Sequence, residues 1–325
     1  MAAMWIVLGA LSFALISNPA RAASSAVWDN DACQPSAAET HLGRGDALLA
    51  QGDGDGAVAE YREAVRLDPT RAASHHKLGS MLEAVGDLDA AVTEYREAVR
   101  LEPSSAVAHV NLGNALEKRE DFDAAIGEYR KAVHLEPRNA DLHNLVGVAF
   151  REQGDLEAAI AEYQAALENK PDYVEAHNNL ALALKASGDL KGAIAEYRQA
   201  IGLEPTTASL HYNLGAALSA HGDLDAAITE YRAAIRLQPG MSQAHNNLAN
   251  ALRENGALAA AIAEYREAIR LEGRNAVAHY NLGIALEKRG DRAGAIEQYR
   301  IAAELQPNDP DFAADLKRLS GELMP

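Results

Sequence analysis

Tyrosine recurs at a strict interval of 34 residues over most of this chain. An internal period of this size is typical of repeat proteins, in which each unit buries its apolar face against its neighbours. The period therefore predicts a stack of eight similar units before any other motif is considered. The tyrosines in this register are Tyr61, Tyr95, Tyr129, Tyr163, Tyr197, Tyr231, Tyr265 and Tyr299.

One unit, residues 72–105, predicts two helices joined by a short turn. The first helix, Ala72–Ala84, places leucines four residues apart on one face. In Gly86-Asp87 the glycine suits a left-handed helix stop, and the aspartate can cap the amides of the next helix. The second helix, Ala90–Leu101, ends before Pro103, because proline cannot continue a helix. The unit is therefore predicted to be a helical hairpin.

The residues that recur within this hairpin resemble the tetratricopeptide repeat, which has the same period. They are Leu78-Gly79, Ala91, Tyr95, Ala98 and Pro103. The chain departs from the pattern where histidine replaces an early aromatic residue and where Gly273 replaces the proline of the seventh unit. The resemblance covers about residues 38–309. It implies an all-α fold, a right-handed alpha-alpha superhelix of eight tetratricopeptide hairpins, with a C-terminal capping helix over residues 310–325.

The N-terminal residues predict export. An apolar run over residues 4–16 precedes Ala20-Arg21-Ala22, which offers small residues at the −3 and −1 positions of a cleavage site. We expect residues 1–22 to be a secretory signal, residues 23–37 to be a flexible leader, and the mature protein to be periplasmic or secreted. An uncleaved N-terminal anchor is the alternative, because no Lys or Arg precedes the apolar run. Cys33, the only cysteine, is expected to be unpaired or to form an intermolecular disulfide.

Charge and missing motifs exclude several classes of function. The formal net charge of −17 over 325 residues disfavours binding to nucleic acid or to anionic membrane surfaces. We expect no stable membrane insertion once the signal is removed. The sequence contains no glycine-rich phosphate loop, no His-Glu-x-x-His and no Gly-x-Ser-x-Gly. The prediction is a protein without catalytic residues, metal or cofactor.

Histidine follows the same register as tyrosine. Equivalent positions on successive hairpins are on the order of 10 Å apart, too far for several rings to share one metal ion. Each ring is therefore predicted to pack structurally with one hydrogen-bonded nitrogen, with pH-dependent loosening of the array as the alternative. The residues are His41, His75, His109, His143, His177, His211, His245 and His279.

Asparagine dominates the position two residues after each histidine, although helix interiors mildly disfavour it. The five members of this asparagine row are Asn111, Asn179, Asn213, Asn247 and Asn281. In tetratricopeptide arrays this face lines the concave groove, and in the similar repeats of O-linked N-acetylglucosamine transferase the groove asparagines hold substrate polypeptide. A primary amide can meet both the N–H and the C=O of a peptide. Structural bonding to a neighbouring helix is the alternative.

Further groove candidates lie beside the asparagine row. Tyr212 and Tyr280 precede it by one residue, and Asn114 and Asn250 follow it by three. One turn further on, the sequence places basic residues in some units and glutamates in others, so the groove suits no single sign of ligand charge. The basic residues are Arg151, Lys185 and Arg253, and the acidic ones are Glu83, Glu117 and Glu287.

The sequence thus predicts a non-catalytic scaffold that binds an extended segment of a protein or peptide partner in its concave groove. The groove residues would be Asn111, Asn114, Asn179, Asn213, Asn247, Asn250, Asn281, Tyr212 and Tyr280. Two alternatives stay open. One is a substrate-recruitment partner of a separately encoded glycosyltransferase, and the other is an envelope or secretion assembly factor that uses its outer surface.

Overall fold

The computed structural model describes residues 35–321, which form seventeen helices and no strand. The first helices of the eight hairpins are α1 (Ala37–Ala50), α3 (Ala72–Ala84), α5 (Ala106–Lys118), α7 (Ala140–Gln153), α9 (Val174–Ser187), α11 (Ala208–His221), α13 (Ser242–Glu254) and α15 (Ala276–Arg289). The second helices are α2 (Gly54–Leu67), α4 (Leu88–Leu101), α6 (Phe122–Leu135), α8 (Leu156–Asn169), α10 (Leu190–Leu203), α12 (Leu224–Leu237), α14 (Leu258–Leu271) and α16 (Arg292–Leu305). A terminal helix, α17 (Pro310–Ser320), follows. The predicted solenoid of eight hairpins and a capping helix is confirmed. The predicted signal and Cys33 lie outside the described residues.

Each hairpin turns as the local sequence requires. Gly86 adopts a φ of +86°, which costs glycine little because it lacks a Cβ. Asp87 then accepts a hydrogen bond from the amide of Ala90. Helix α4 consequently begins at Leu88, two residues before the predicted start. The third turn differs, since Glu120 occupies the left-handed region with a φ of 63°.

Small residues on the first helices make room for the tyrosine rings. A Cβ on Gly79 would lie 2.9 Å from a ring carbon of Tyr95, the tyrosine of the same hairpin. The tyrosine is buried in all eight units. Alanine takes the place of glycine opposite Tyr197 and Tyr265, as Ala181 and Ala249. The tyrosine register therefore marks the packed interior of each hairpin.

The hairpins stack so that the first helices line the inner side of the solenoid. Each second helix packs on the first helix of the next unit, and successive first helices also touch directly, as α7 does with α9 and α11 with α13.

At the end of the stack α17 buries Phe312 and Leu316, and Arg318 donates to both carboxylate oxygens of Glu287 at 2.7 and 2.8 Å. Within residues 35–321 no helix combines the length and apolarity that crossing a bilayer demands.

Candidate functional site

The asparagine row connects the first helices of successive units. Each of the five amides places its Nδ2 next to a polar atom 35 residues earlier, on the first helix of the preceding hairpin. The contacts are Asn111 with His76 Nε2, Asn179 with Asn144 Oδ1 (3.0 Å), Asn213 with Asn178 Oδ1 (3.1 Å), Asn247 with the Tyr212 hydroxyl (3.0 Å) and Asn281 with Asn246 Oδ1 (3.5 Å). The structural role is therefore real, and it is repeated at five junctions.

These contacts leave part of each amide unused. An asparagine side chain has two N–H donors and an acceptor oxygen, and the contact to the preceding helix takes one donor. Asn111, Asn213 and Asn281 are half-buried, and no hydrogen bond to their Oδ1 atoms comes from residues 35–321. Asn179 is more deeply buried. Structural bonding and ligand contact are thus compatible in the same side chain.

The other predicted groove residues fall into two groups. Asn114 and Asn250 turn their Oδ1 atoms toward the interior, where they accept from the hydroxyls of Tyr129 (2.8 Å) and Tyr265 (2.5 Å). They support the packed tyrosines, so a ligand would meet only their amide nitrogens. Tyr212 and Tyr280 are half-buried on the inner side. Tyr280 is tied to the terminal helix, because its hydroxyl donates to Asp315 Oδ2 at 2.7 Å.

The histidines use both ring nitrogens, where the sequence analysis expected one. In seven units Nδ1 lies 2.6–2.8 Å from a glutamate on the second helix of the same hairpin. From the second unit onward Nε2 lies 3.0–3.3 Å from a carbonyl oxygen at the end of the preceding unit. Carboxylate and carbonyl oxygens only accept hydrogen bonds, so a ring nitrogen that bonds to either of them does so as a donor. In the eighth unit Gln298 replaces the glutamate opposite His279.

The tyrosine hydroxyls are satisfied differently from unit to unit. In the second, third and eighth units the hydroxyl donates to a glutamate twelve residues earlier, which belongs to the first helix of the same hairpin. The pairs are Tyr95 with Glu83 (2.9 Å), Tyr129 with Glu117 (2.7 Å) and Tyr299 with Glu287 (2.8 Å). In the fourth and fifth units this position holds Arg151 and Lys185.

The hydroxyls of Tyr163 and Tyr197, in those two units, are buried and have no hydrogen-bond partner among residues 35–321. Both tyrosines are fully buried, and burial raises the pKa of Tyr163 to about 12 and also raises that of Tyr197. The positive charge of Arg151 opposes both shifts, which places its guanidinium near both rings. Burial lowers the pKa of the Lys185 ammonium, and no opposite charge in the described chain offsets that burial.

The sequence places Arg151 and Lys185 in the groove, but it does not connect them with the tyrosines twelve residues later. The sequence signal is found twelve residues before each tyrosine, where some units carry a cation in place of glutamate. Residues 35–321 contain no group of three or more His, Cys, Asp or Glu that could hold a metal ion.

Family models support the repeat assignment. A model described as tetratricopeptide repeat matches residues 76–140, 110–174, 212–275 and 246–310. A second tetratricopeptide repeat model matches residues 162–195, and a model described as TPR repeat matches residues 45–86 and 182–222. A search of curated proteins finds no match.

Several solved structures are similar to this chain. A crystal structure of MamA is 27% identical, covers 50% of this chain and 94% of its own, and gives a TM-score of 0.47. YrrB, described as a TPR protein with an unusual peptide-binding site, is 23% identical, covers 57% of this chain and 95% of its own, and gives 0.49. The pilF protein of Pseudomonas aeruginosa is 20% identical, covers 66% of this chain and 97% of its own, and gives 0.56. At this identity, the similarity to the pilF protein shows a shared fold and no more.

Proposed function

Since this chain belongs to the tetratricopeptide repeat family, we propose that it is a non-catalytic scaffold that binds an extended polypeptide segment along the inner face of its first helices. The observation that carries the proposal is the partly used asparagine row. Each amide is held by the preceding helix, so its orientation is fixed before a ligand arrives. A fixed donor and acceptor reduce the ordering cost of binding.

The spacing of the row suits an extended chain. Equivalent side chains on adjacent hairpins are on the order of 10 Å apart, and an extended peptide advances about 3.3 Å per residue. Every third peptide group can therefore meet one asparagine. Contacts to the peptide backbone would be tolerant of sequence, and the charged residues beside the row would select the partner.

The test compares variants of the full chain on an array of unstructured 12-residue peptides. We expect Asn213→Ala with Asn247→Ala to weaken the dissociation constant of captured peptides by about tenfold, at about 0.5–1.5 kcal/mol for each lost hydrogen bond. The same variant also loses the contacts to Asn178 and Tyr212, so its melting temperature will fall.

A matched control separates the two effects. Asn275 caps α15, accepting from the Ala278 amide at 3.0 Å, and Asn275→Ala removes that bond without touching the row. It should lower stability while leaving peptide affinity unchanged. Equal affinities for the wild type and the Asn213/Asn247 double variant would refute the proposed role of the row.

The similarity of the asparagine row to repeats of O-linked N-acetylglucosamine transferase supports a narrower version of this function. In that version the scaffold presents polypeptides to a separately encoded glycosyltransferase. Co-purification of such an enzyme from the native compartment, lost in the same double variant, would distinguish it from a general scaffold.

We also propose that the protein is exported, with residues 1–22 as a cleaved signal and the leader predicted over residues 23–37 ending where α1 begins, at Ala37. The support is the order of apolar run and small residues noted above. The mass of the protein isolated from the cell envelope decides between cleavage and an uncleaved anchor.

A further inference from the structure

We propose that the inner face of the fourth and fifth units binds acidic side chains of the polypeptide ligand, through Arg151, Lys185 and the hydroxyls of Tyr163 and Tyr197. This inference rests on the proposed peptide-binding function and gives it a ligand chemistry. It follows from a comparison among units of the same chain, in which the geometry is repeated and one residue type is exchanged.

The exchange removes a carboxylate from each of these two units. In the second, third and eighth units, a glutamate of the first helix accepts the tyrosine hydroxyl at 2.7–2.9 Å. In the fourth and fifth units a cation stands at the same position, and the hydroxyl has no acceptor within residues 35–321. A buried hydroxyl without a partner destabilises the fold, because nothing offsets the loss of its hydration. A carboxylate supplied from outside would satisfy the hydroxyl and the cation together.

The charges around the two hydroxyls agree with this reading. Lys185 is half-buried, and no carboxylate of residues 35–321 pairs with it. Within the same residues Arg151 pairs only with its neighbour Glu152, at 3.0 Å. The charges of Glu152 and Glu175 raise the pKa of Tyr163 further, but neither carboxylate is hydrogen-bonded to its hydroxyl. In the proposed complex the flexible side chains of Arg151 and Lys185 move to admit the ligand carboxylate to the buried hydroxyls.

Other units set the limits of the site. In the sixth unit Ser219 occupies the cation position, within reach of the Tyr231 hydroxyl. In the seventh unit Arg253 returns, but the hydroxyl of Tyr265 is satisfied by Asn250. A cation and an unsatisfied hydroxyl occur together only in the fourth and fifth units of the described chain. Two adjacent units of this kind predict a ligand with acidic residues about three positions apart.

The experiment uses the full chain and two 12-residue peptides of Gly, Ala and Ser. One peptide carries Glu at every third position, and the other carries Gln there. We expect the Glu peptide to bind at least tenfold more tightly in calorimetric titration. The protein is acidic overall, with a net charge of −17, so general electrostatic attraction cannot produce this preference.

Two sets of variants locate the preference. Arg151→Gln with Lys185→Gln should abolish it, while Lys191→Gln with Arg198→Gln should preserve it. The control pair changes the same charges at exposed positions of the second helix. Tyr163→Phe with Tyr197→Phe should raise the melting temperature, because it removes two unsatisfied hydroxyls, and should weaken the Glu peptide severalfold. Tyr129→Phe should lower the melting temperature, because its hydroxyl is bonded.

Each outcome decides a different question. Equal binding of the Glu and Gln peptides overturns the acidic site and leaves the proposed scaffold function standing. Binding by neither peptide, together with no captured peptide on the array, overturns the scaffold function itself. A lower melting temperature for the Tyr163→Phe and Tyr197→Phe variant means that structural water holds the hydroxyls, which also overturns the acidic site.

Discussion

The histidine row and the asparagine row lie two residues apart on the same helices, yet they use their bonding capacity differently. From the second unit onward each histidine contacts an oxygen on its own second helix and another on the preceding unit, which leaves no ring nitrogen for a ligand. Each asparagine makes one contact across the junction and keeps donor or acceptor atoms unused. A repeated polar residue is therefore structural or functional according to the atoms that the fold leaves unsatisfied.

The largest expected loss of stability comes from removing one histidine of the row. His75→Ala removes the contacts to Glu94 at 2.6 Å and to the Pro69 carbonyl at 3.0 Å. We expect a loss of about 2–3 kcal/mol in the free energy of unfolding, from two hydrogen bonds to a buried ring. Urea titration measures it, and His279→Ala is the matched variant. That variant should cost less, because Gln298 is neutral and the second contact is longer, at 3.3 Å.

Peptide affinity gives a second test of the difference between the histidine row and the asparagine row. His75→Ala should leave the affinity of array peptides unchanged at temperatures where the variant is folded. A histidine variant that loses affinity but not stability would show that the two rows are not divided as described.

A smaller effect is expected from a double-mutant cycle across one junction of the asparagine row. Asn179→Leu leaves the Oδ1 of Asn144 without its donor, and Asn144→Leu removes the acceptor. Each single variant should cost about 1 kcal/mol in the free energy of unfolding, while the double variant should cost less than their sum, because neither atom of the Asn144–Asn179 hydrogen bond is left unpaired. Leucine is suited to this face, since Leu145 occupies the row in the fourth unit. If the losses of the two single variants, measured by urea titration, add up to the loss of the double variant, then the two amides do not stabilise each other.

The smallest effect concerns pH. Burial raises the pKa of Glu128, but hydrogen bonds from Lys131 and His109 outweigh burial and hold the pKa below its ordinary value of 4.5. A lowered folded-state pKa stabilises the protein above pH 4.5, and that contribution is lost as the pH falls through the folded value. Glu128→Gln should therefore be less stable than the wild type near neutral pH. The difference in urea midpoint between the wild type and the variant should become smaller below pH 4.5. A difference that does not change with pH would contradict the hydrogen bonds of Glu128 to Lys131 and His109.

Much of the fold was predictable because the repeat places the same local signals at every unit. Glycine at the turn, aspartate at the next helix start and a small residue opposite tyrosine all act within a few residues or one hairpin. Even the early start of α4 follows from Asp87 alone. The family resemblance and the eight hairpins were therefore available from sequence.

The bonds that cross a junction were not predictable to the same degree. Whether Asn213 meets Asn178 or a solvent molecule depends on the rotation of one first helix against the next, which local propensity does not set. The buried hydroxyls of Tyr163 and Tyr197, which have no hydrogen-bond partner within residues 35–321, likewise became visible only once the hairpins were packed. The sequence carried the exchange of residue type, but only the packing connected it with the tyrosines.

The contacts between successive first helices also have a mechanical consequence. They cross the inner side of the stack, at the places where a change in superhelical pitch must open or close the junctions. Because each repeat touches mainly its neighbours, a stretch applied to the array is divided among many small hinge movements. A polypeptide bound across several units would resist those movements, because it contacts both sides of each hinge. Binding in the groove would therefore make the solenoid stiffer.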